Sequence, residues 1–301
     1  MEKLILSPIT KKPDVLLIKT WDAKKIIDAY KRDFNYDPSH FFQGIDKIDQ
    51  YKCKETNYIF FHPVVEGNSD FYAYFQRYDW YYNPWKWEHQ QVVPFLRKGI
   101  TVLEIGCGEG DFISKVINEY GVEAVGLELN QQAVTEALKK GRPVQNKLLS
   151  EFKEAHKNAF DIVCSFEVLE HVADVHSFIE DSLECLKPGG YLIIAVPNNA
   201  SFINEEFASL NFPPHHVGWW NKDSLECLSS IFDINLCNLI YEPLQPYHKE
   251  WYKSTVKKKV IKNRYLRKLI SLLFQSKMEN ITNTLSDWAI GHTIVGIYRK
   301  S

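Results

Sequence analysis

Three glycines at alternate positions, Gly106, Gly108 and Gly110, follow directly on the apolar run Val102-Leu103-Glu104-Ile105 and lead into Asp111-Phe112. A strand that turns into a helix through glycines lets a ligand approach the backbone closely, beside a helix N-terminus. Carboxylates surround this turn. Glu104 stands two residues before the first glycine, Glu109 and Asp111 flank the last, and Glu128 lies eighteen residues beyond Gly110 in Gly126-Leu127-Glu128-Leu129-Asn130. An acid at the end of a second strand can hold the two hydroxyls of a ribose; an acid favoured by the next helix dipole is the other account of it. Pyrophosphate suits neither so many acids nor a G-x-G-x-G spacing in place of G-x-G-x-x-G. The ligand chemistry that fits is a cationic nucleoside without phosphates.

Histidines supply the second kind of chemistry. His171 ends Phe166-Glu167-Val168-Leu169-Glu170-His171, and His215 and His216 lie in Phe212-Pro213-Pro214-His215-His216-Val217. Imidazole can take a proton from a hydroxyl near neutral pH, and a Pro-Pro pair limits how freely the adjacent rings move. The alternative for His171 is a turn closed by a hydrogen bond, and for the pair, local packing. No Cys or carboxylate sits at ligand spacing beside the pair, so no metal site is expected.

The elements that must position these groups read as alternating strands and helices. Strands are expected at Thr101–Ile105, Ala124–Leu129, Asp161–Phe166 and Tyr191–Val196, and helices at Lys86–Arg97, Asp111–Tyr120, Gln131–Lys139 and Val175–Leu186. Lys187-Pro188-Gly189-Gly190 reads as the stop of the last helix. Strands apolar throughout, alternating with helices, imply a parallel sheet covered on both faces. The expected fold class is α/β: a doubly wound, seven-stranded, mostly parallel sheet. Two further strands, Phe232–Tyr241 and an antiparallel Gly291–Tyr298, complete it. The loop after the fourth strand and the loop carrying His215 and His216 then fall on the ligand side of the sheet.

Several segments together resemble the class I S-adenosylmethionine-dependent methyltransferases. Leu103-Glu104-Ile105-Gly106-Cys107-Gly108-Glu109-Gly110 is similar to their first motif, Glu128 to their ribose-binding acid, Phe160–Val172 to their fourth-strand motif, and Leu186-Lys187-Pro188-Gly189-Gly190-Tyr191-Leu192 to their fifth-strand entry. The resemblance covers residues 86–242 and a terminal strand. It implies S-adenosylmethionine as cofactor, with its sulfonium and ammonium meeting the acids. It implies that Gly106, Cys107, Gly108 and Gly110 wrap the methionine portion and that Glu104 reaches its amino group. It further implies that Glu128 binds the ribose, that Leu129, Asn130 and Asn146 flank the adenine, and that Ser165, Phe166 and Glu167 face the sulfonium. The implied reaction is methyl transfer to a small-molecule or saccharide acceptor, at oxygen, with His171, His215 and His216 as candidate bases. A non-catalytic binding protein of the same fold and a nicotinamide-dependent reductase are the rivals. The reductase would want a Tyr-x-x-x-Lys pair after the fourth strand, and the spacing occurs only at Tyr82 and Lys86.

Composition frames the rest. The 301 residues carry a formal net charge of −2, are 45% hydrophobic and 14% aromatic, and hold six cysteines without a C-x-x-C pair. Such a chain is not disordered, and its near-neutral balance argues against a nucleic-acid coat. Dispersed thiols, no signal-peptide core and no apolar run of about 18 residues place it in the cytoplasm. Residues 1–85 are expected to form an aromatic-rich extension and residues 86–301 the cofactor-binding domain. Phe71, Tyr72, Tyr74, Phe75, Tyr78, Trp80, Tyr81, Tyr82, Trp85 and Trp87 crowd just before the domain, as a lid over the acceptor or as packing on the sheet. Cys53 sits where a zinc ribbon would offer a ligand, but Thr56 occupies the partner position. An insertion at 243–285 contains a block, 248–277, with ten Lys or Arg against Glu250 alone. A surface helix on the core, contact with anionic lipid at the inner membrane face or with a phosphate-bearing acceptor, and nucleic acid are the readings left open for it.

Overall fold

The computed structural model describes residues 4–78, 84–204, 207–260 and 289–301. The chain opens with strand β1 (Val15–Asp22) and helix α1 (Ala23–Phe34), then β2 (Lys47–Cys53) and β3 (Ile59–His62). Asp22 accepts the N–H of Lys24 and caps α1, so Trp21 belongs to the strand. β1 and β2 have no clean alternation in the sequence, since β1 is exposed along most of its length. Helix α2 (Ser69–Phe75) follows, then α3 (Trp87–Gln90). The helix expected over Lys86–Arg97 is this single turn and a 3-10 turn at Val93–Phe95. Pro94 offers no N–H to continue it.

Next come β4 (Thr101–Ile105), α4 (Asp111–Tyr120), β5 (Glu123–Leu127), α5 (Gln131–Lys139), β6 (Val144–Gln145), α6 (Leu149–Phe152), β7 (Phe160–Phe166), α7 (Val175–Cys185) and β8 (Leu186–Pro197). The chain continues through β9 (Gly218–Trp219), α8 (Lys222–Glu226), α9 (Leu228–Ile231), β10 (Ile234–Pro243), α10 (Lys249–Val260) and β11 (Ile290–Lys300). Lys187–Gly190 is the start of β8, with Gly189 at φ 72°, and not a separate turn.

The main sheet has seven strands in the order β10-β11-β8-β7-β4-β5-β6. Its four parallel pairings follow the expected doubly wound pattern: β4, β5, β6, β7 and β8 run parallel, and β11 is antiparallel to β8 and β10. Side chains alternate between two cores. Leu103, Val163 and Ile194 pack on one face, Val102, Cys164 and Ile193 on the other, which is why these strands are apolar throughout. The direction of winding reverses at β4 between β5 and β7, and the crevice opens at the carboxyl ends there.

The N-terminal region is a second sheet, ordered β1-β2-β3-β9. Its last strand comes from the loop after β8, so residues 218–219 join the extension to the main domain. Tyr30, Phe71, Phe75, Phe212 and Trp219 share one core. Phe71 and Phe75 are fully buried, so the described aromatics are chiefly packing; Tyr72 is the ring among them that lines the central cavity, while Trp80, Tyr81 and Tyr82 lie outside the described residues. Of the basic block, Lys249–Lys259 falls on α10, and residues 261–288 lie outside the described residues. No helix among the described residues is long and apolar enough to cross a membrane.

Candidate active site

A cavity of about 1760 Å³ lies at the carboxyl ends of β4, β5 and β7. Its first end is built by the glycine turn. Gly106 has φ 75°, and a Cβ there would sit 2.5 Å from Cγ2 of Val168; only glycine fits both restrictions. Glu128 supports the turn from β5: Oε2 accepts the N–H of Gly108 at 2.9 Å and Oε1 the N–H of Asn130 at 2.7 Å. Burial nevertheless raises its pKa. Glu104 is 4% exposed, and its Oε2 has no partner. Burial, then the nearby Glu128, push this carboxyl up to about 8. The other two acids of the turn are neutralised: Lys140 pairs with Glu109, and Arg142 with Asp111 at 2.5 Å.

The second end holds the histidines. Nδ1 of His171 lies 2.6 Å from the backbone oxygen of His215, Nδ1 of His215 lies 3.0 Å from that of Leu210, and Nδ1 of His216 lies 3.2 Å from Oδ1 of Asn211. Carbonyl and amide oxygens only accept, so each Nδ1 carries the proton. Nε2 of His171 and of His216 face Oε1 of Glu170 at 3.6 Å and 4.0 Å. Glu170 is 1% exposed, and neither of its carboxylate oxygens has a hydrogen-bond partner. Burial lowers His171 to about 4 and His216 well below its ordinary value, so both rings are neutral. The three imidazoles offer ligand atoms within 4.8 Å of one another, close enough to share a cation. Spacing along the chain had argued against a metal here, because the third imidazole arrives from the end of β7.

The N-terminal sheet fixes this end. Tyr30 donates to the backbone oxygen of Phe212 at 2.9 Å, Gly67 N–H donates to that of Pro214 at 2.8 Å, and Phe61 N–H donates to that of Val217 at 3.1 Å.

Residues 78–232 match the family model of a methyltransferase domain, just over half of the chain. The chain belongs to the methyltransferase-domain family. Among curated relatives, the chain is 29% identical over 190 residues to the human mitochondrial ubiquinone biosynthesis O-methyltransferase, covering 56% of this chain and 50% of that protein. It is 36% identical over 114 residues to the ubiquinone biosynthesis O-methyltransferase of Rhizobium etli, covering 36% of this chain and 45% of that one. The chain thus spans about half the length of the curated relatives it matches. Among solved structures, a SAM-dependent methyltransferase from Archaeoglobus fulgidus aligns at TM-score 0.49 and 18% identity, over 70% of this chain and 90% of that one.

The methyltransferase family uses S-adenosylmethionine, and the first end of the cavity suits it. The unpartnered Oε2 of Glu104 requires a donor from a ligand, and an amino group would provide one. Gly106, Cys107, Gly108, Glu128, Leu129 and Asn130 all line the cavity, as do Phe166 and Glu167. Three expectations change. Gly110 is the left-handed cap of α4, and its lost Cβ would meet Val144 Cγ2 at 2.8 Å, so it serves helix–strand packing. Ser165 is 2% exposed within β7 and does not line the cavity. Asn146 Nδ2 donates to the backbone oxygens of Glu128 and Leu129, at 2.9 Å and 3.1 Å, and so braces that turn. Asn130 keeps its place on the cavity: its Oδ1 caps α5 through Gln132 and Ala133 N–H, and its buried Nδ2 has no hydrogen-bond partner.

Sequence reasoning missed Lys86, Glu88, Glu242 and His292, which line the same cavity. They come from α3, its lead-in, and the ends of β10 and β11. No spacing links them to the motifs; only the sheet order brings them together.

Proposed function

We propose that this methyltransferase moves a methyl group from S-adenosylmethionine to a hydroxyl oxygen of a small-molecule or saccharide acceptor. One observation carries the reading: Glu170, unpartnered and buried, faces the Nε2 atoms of His171 and His216 in the cavity that also holds the glycine turn. The names of the curated relatives, O-methyltransferases, support oxygen as the acceptor atom.

Bound at the glycine turn, S-adenosylmethionine supplies an electrophilic methyl carbon. The chain supplies the rest. Glu104 and Glu128 orient the cofactor, and Phe166, packed on His89 and Phe112, closes its apolar side. A hydroxyl beside Nε2 of His171 or His216 gives its proton to that nitrogen, and Glu170 offsets the charge that forms. Holding both reactants in line provides a further part of the rate.

Labelled methyl transfer into a panel of catechols, sugars and amino alcohols tests the reading. Cofactor binding with no transfer to any hydroxyl would leave a non-catalytic binding protein of the same fold. The spacing of the three imidazoles favours a second reading, in which a divalent cation they hold binds the acceptor oxygen. Loss of transfer in EDTA, restored by Mg²⁺ or Zn²⁺, selects that one. The basic segment 248–277 is proposed to meet anionic lipid or a phosphate-bearing acceptor; sedimentation with phosphatidylglycerol but not phosphatidylcholine vesicles would support the lipid and a peripheral place at the membrane.

A further inference from the structure

Beyond the histidines the cavity ends in a wall of which the proton transfer uses Glu170 alone. Four carboxylates line it: Glu88 from α3, Glu167 and Glu170 from the segment after β7, and Glu242 from β10. Glu88, Glu170 and Glu242 are buried, at 3%, 1% and 2% exposure. Glu242 Oε2 accepts the backbone N–H groups of His292 and Thr293 at 2.9 Å and 3.1 Å. Glu167, held at φ 55°, places Oε2 3.9 Å from Nδ1 of His292, and its Oε1 has no partner. Neither oxygen of Glu170 has one. Among the described residues, Lys86 is the one lysine or arginine lining this end, with Nζ 3.9 Å from Oε1 of Glu88.

Burial and mutual repulsion hold these carboxyls above their ordinary pKa, Glu242 at about 7 and Glu170 at about 8. With both imidazoles neutral, no donor lies within hydrogen-bond distance of the ionised Glu170, a demand that a cationic ligand would meet. The excess of carboxylates over cations indicates the sign of that ligand. The facing wall is aromatic and comes from the excursion between β10 and β11: Tyr247, His248 and Trp251 line it. Their rings are set by contact, Phe202 on Trp251 at 4.9 Å and His248 on His292 at 5.3 Å. Ring faces attract an organic cation through their quadrupole, whereas a hydrated metal ion gains little from an indole.

We propose that this wall is a subsite for an ammonium group of the acceptor, seated among Glu88, Glu167, Glu170 and Glu242 and against Trp251. The acceptor class is therefore a hydroxyl compound that also carries a cationic nitrogen, such as an amino sugar or an amino alcohol. The reaction rests on the function proposed above; the binding does not.

Calorimetry on the full chain, chelator-treated and saturated with S-adenosylhomocysteine, tests it with three matched pairs: ethanolamine and ethylene glycol, choline and 3,3-dimethylbutan-1-ol, glucosamine and glucose. At least one cation is expected to bind about tenfold more tightly than its neutral partner. Glu170→Gln and Trp251→Leu are each expected to remove most of that preference while S-adenosylhomocysteine affinity stays unchanged. If Glu170→Gln does not fold, Trp251→Leu carries the same reading. No preference in any pair overturns the subsite, and so does a preference that appears only on adding Mg²⁺. Methyl transfer to a neutral hydroxyl compound without any cation preference would sink the subsite and leave the O-methyl reading intact. A cation preference without transfer to any hydroxyl would do the reverse.

Discussion

Nδ1 of His171 donates to the backbone oxygen of His215 at 2.6 Å, tying the segment after β7 to the loop after β8. One ring therefore has two duties, a structural one at Nδ1 and a chemical one at Nε2. The two separate by substitution. An Asn side chain can place its amide near Nδ1, and a Gln near Nε2. His171→Asn is expected to keep the melting temperature close to that of the parent while lowering kcat by about 10²-fold, the scale of a lost general base. Thermal unfolding beside steady-state kinetics checks both. A kcat equal to the parent's would remove His171 from the chemistry.

Glu104 gives the cofactor site a pH dependence whose sign follows from burial. Its carboxyl is raised to about 8, and it must be ionised to receive an ammonium group. Binding of S-adenosylhomocysteine should therefore tighten as pH rises from 6 towards 8, with proton release at the lower pH. The ligand-free protein should show the opposite trend in stability. A carboxyl raised on folding favours the folded state below its unfolded pKa, and that stability is lost as pH rises through about 8. Calorimetry in buffers of different ionisation enthalpy reads the proton; Glu104→Gln should abolish both trends.

Glu128 holds Gly108 and Asn130 by their N–H groups, so its removal costs the turn its support as well as any ribose contact. Glu128→Ala is expected to weaken S-adenosylhomocysteine by about 10- to 100-fold, the cost of losing charge-assisted hydrogen bonds. Glu128→Gln, which keeps one acceptor oxygen, should fall between. Unchanged affinity in Glu128→Ala would show that neither role matters to the ligand.

Tyr30 reaches from α1 to the backbone oxygen of Phe212, three residues before the histidine pair. Tyr30→Phe leaves that buried oxygen without its donor, at a cost of about 1–3 kcal/mol. Because the loop it anchors carries His215 and His216, kcat should fall while affinity for S-adenosylhomocysteine holds. Equal effects on both would mean that the extension stabilises the whole domain and has no particular hold on the acceptor end.

The elements of the doubly wound sheet and the glycine turn were legible in the chain because they are written in short range. β4, the glycine turn and α4 are contiguous, β4 and α4 match their expected bounds, and the period of apolar residues reports burial on two faces. Gly106, Glu104 and Glu128 could be found for the same reason. The acceptor end was not legible in this way. His171 and the His215–His216 pair could be nominated by type, but their convergence on Glu170 and the spacing of three imidazoles needed β7 and β8 to lie side by side. Glu88, Glu242 and His292 carry no local signal at all, since they arrive from elements far apart in the chain. The aromatic segment shows the limit most clearly. Its composition allowed a lid or packing, and the core around Tyr30 shows packing at Phe71 and Phe75, because which face of a helix is buried depends on what the rest of the chain brings against it. Backbone periodicity and turn chemistry determine the sheet and the cofactor turn from the sequence; the charge and shape around the acceptor exist only where remote side chains meet.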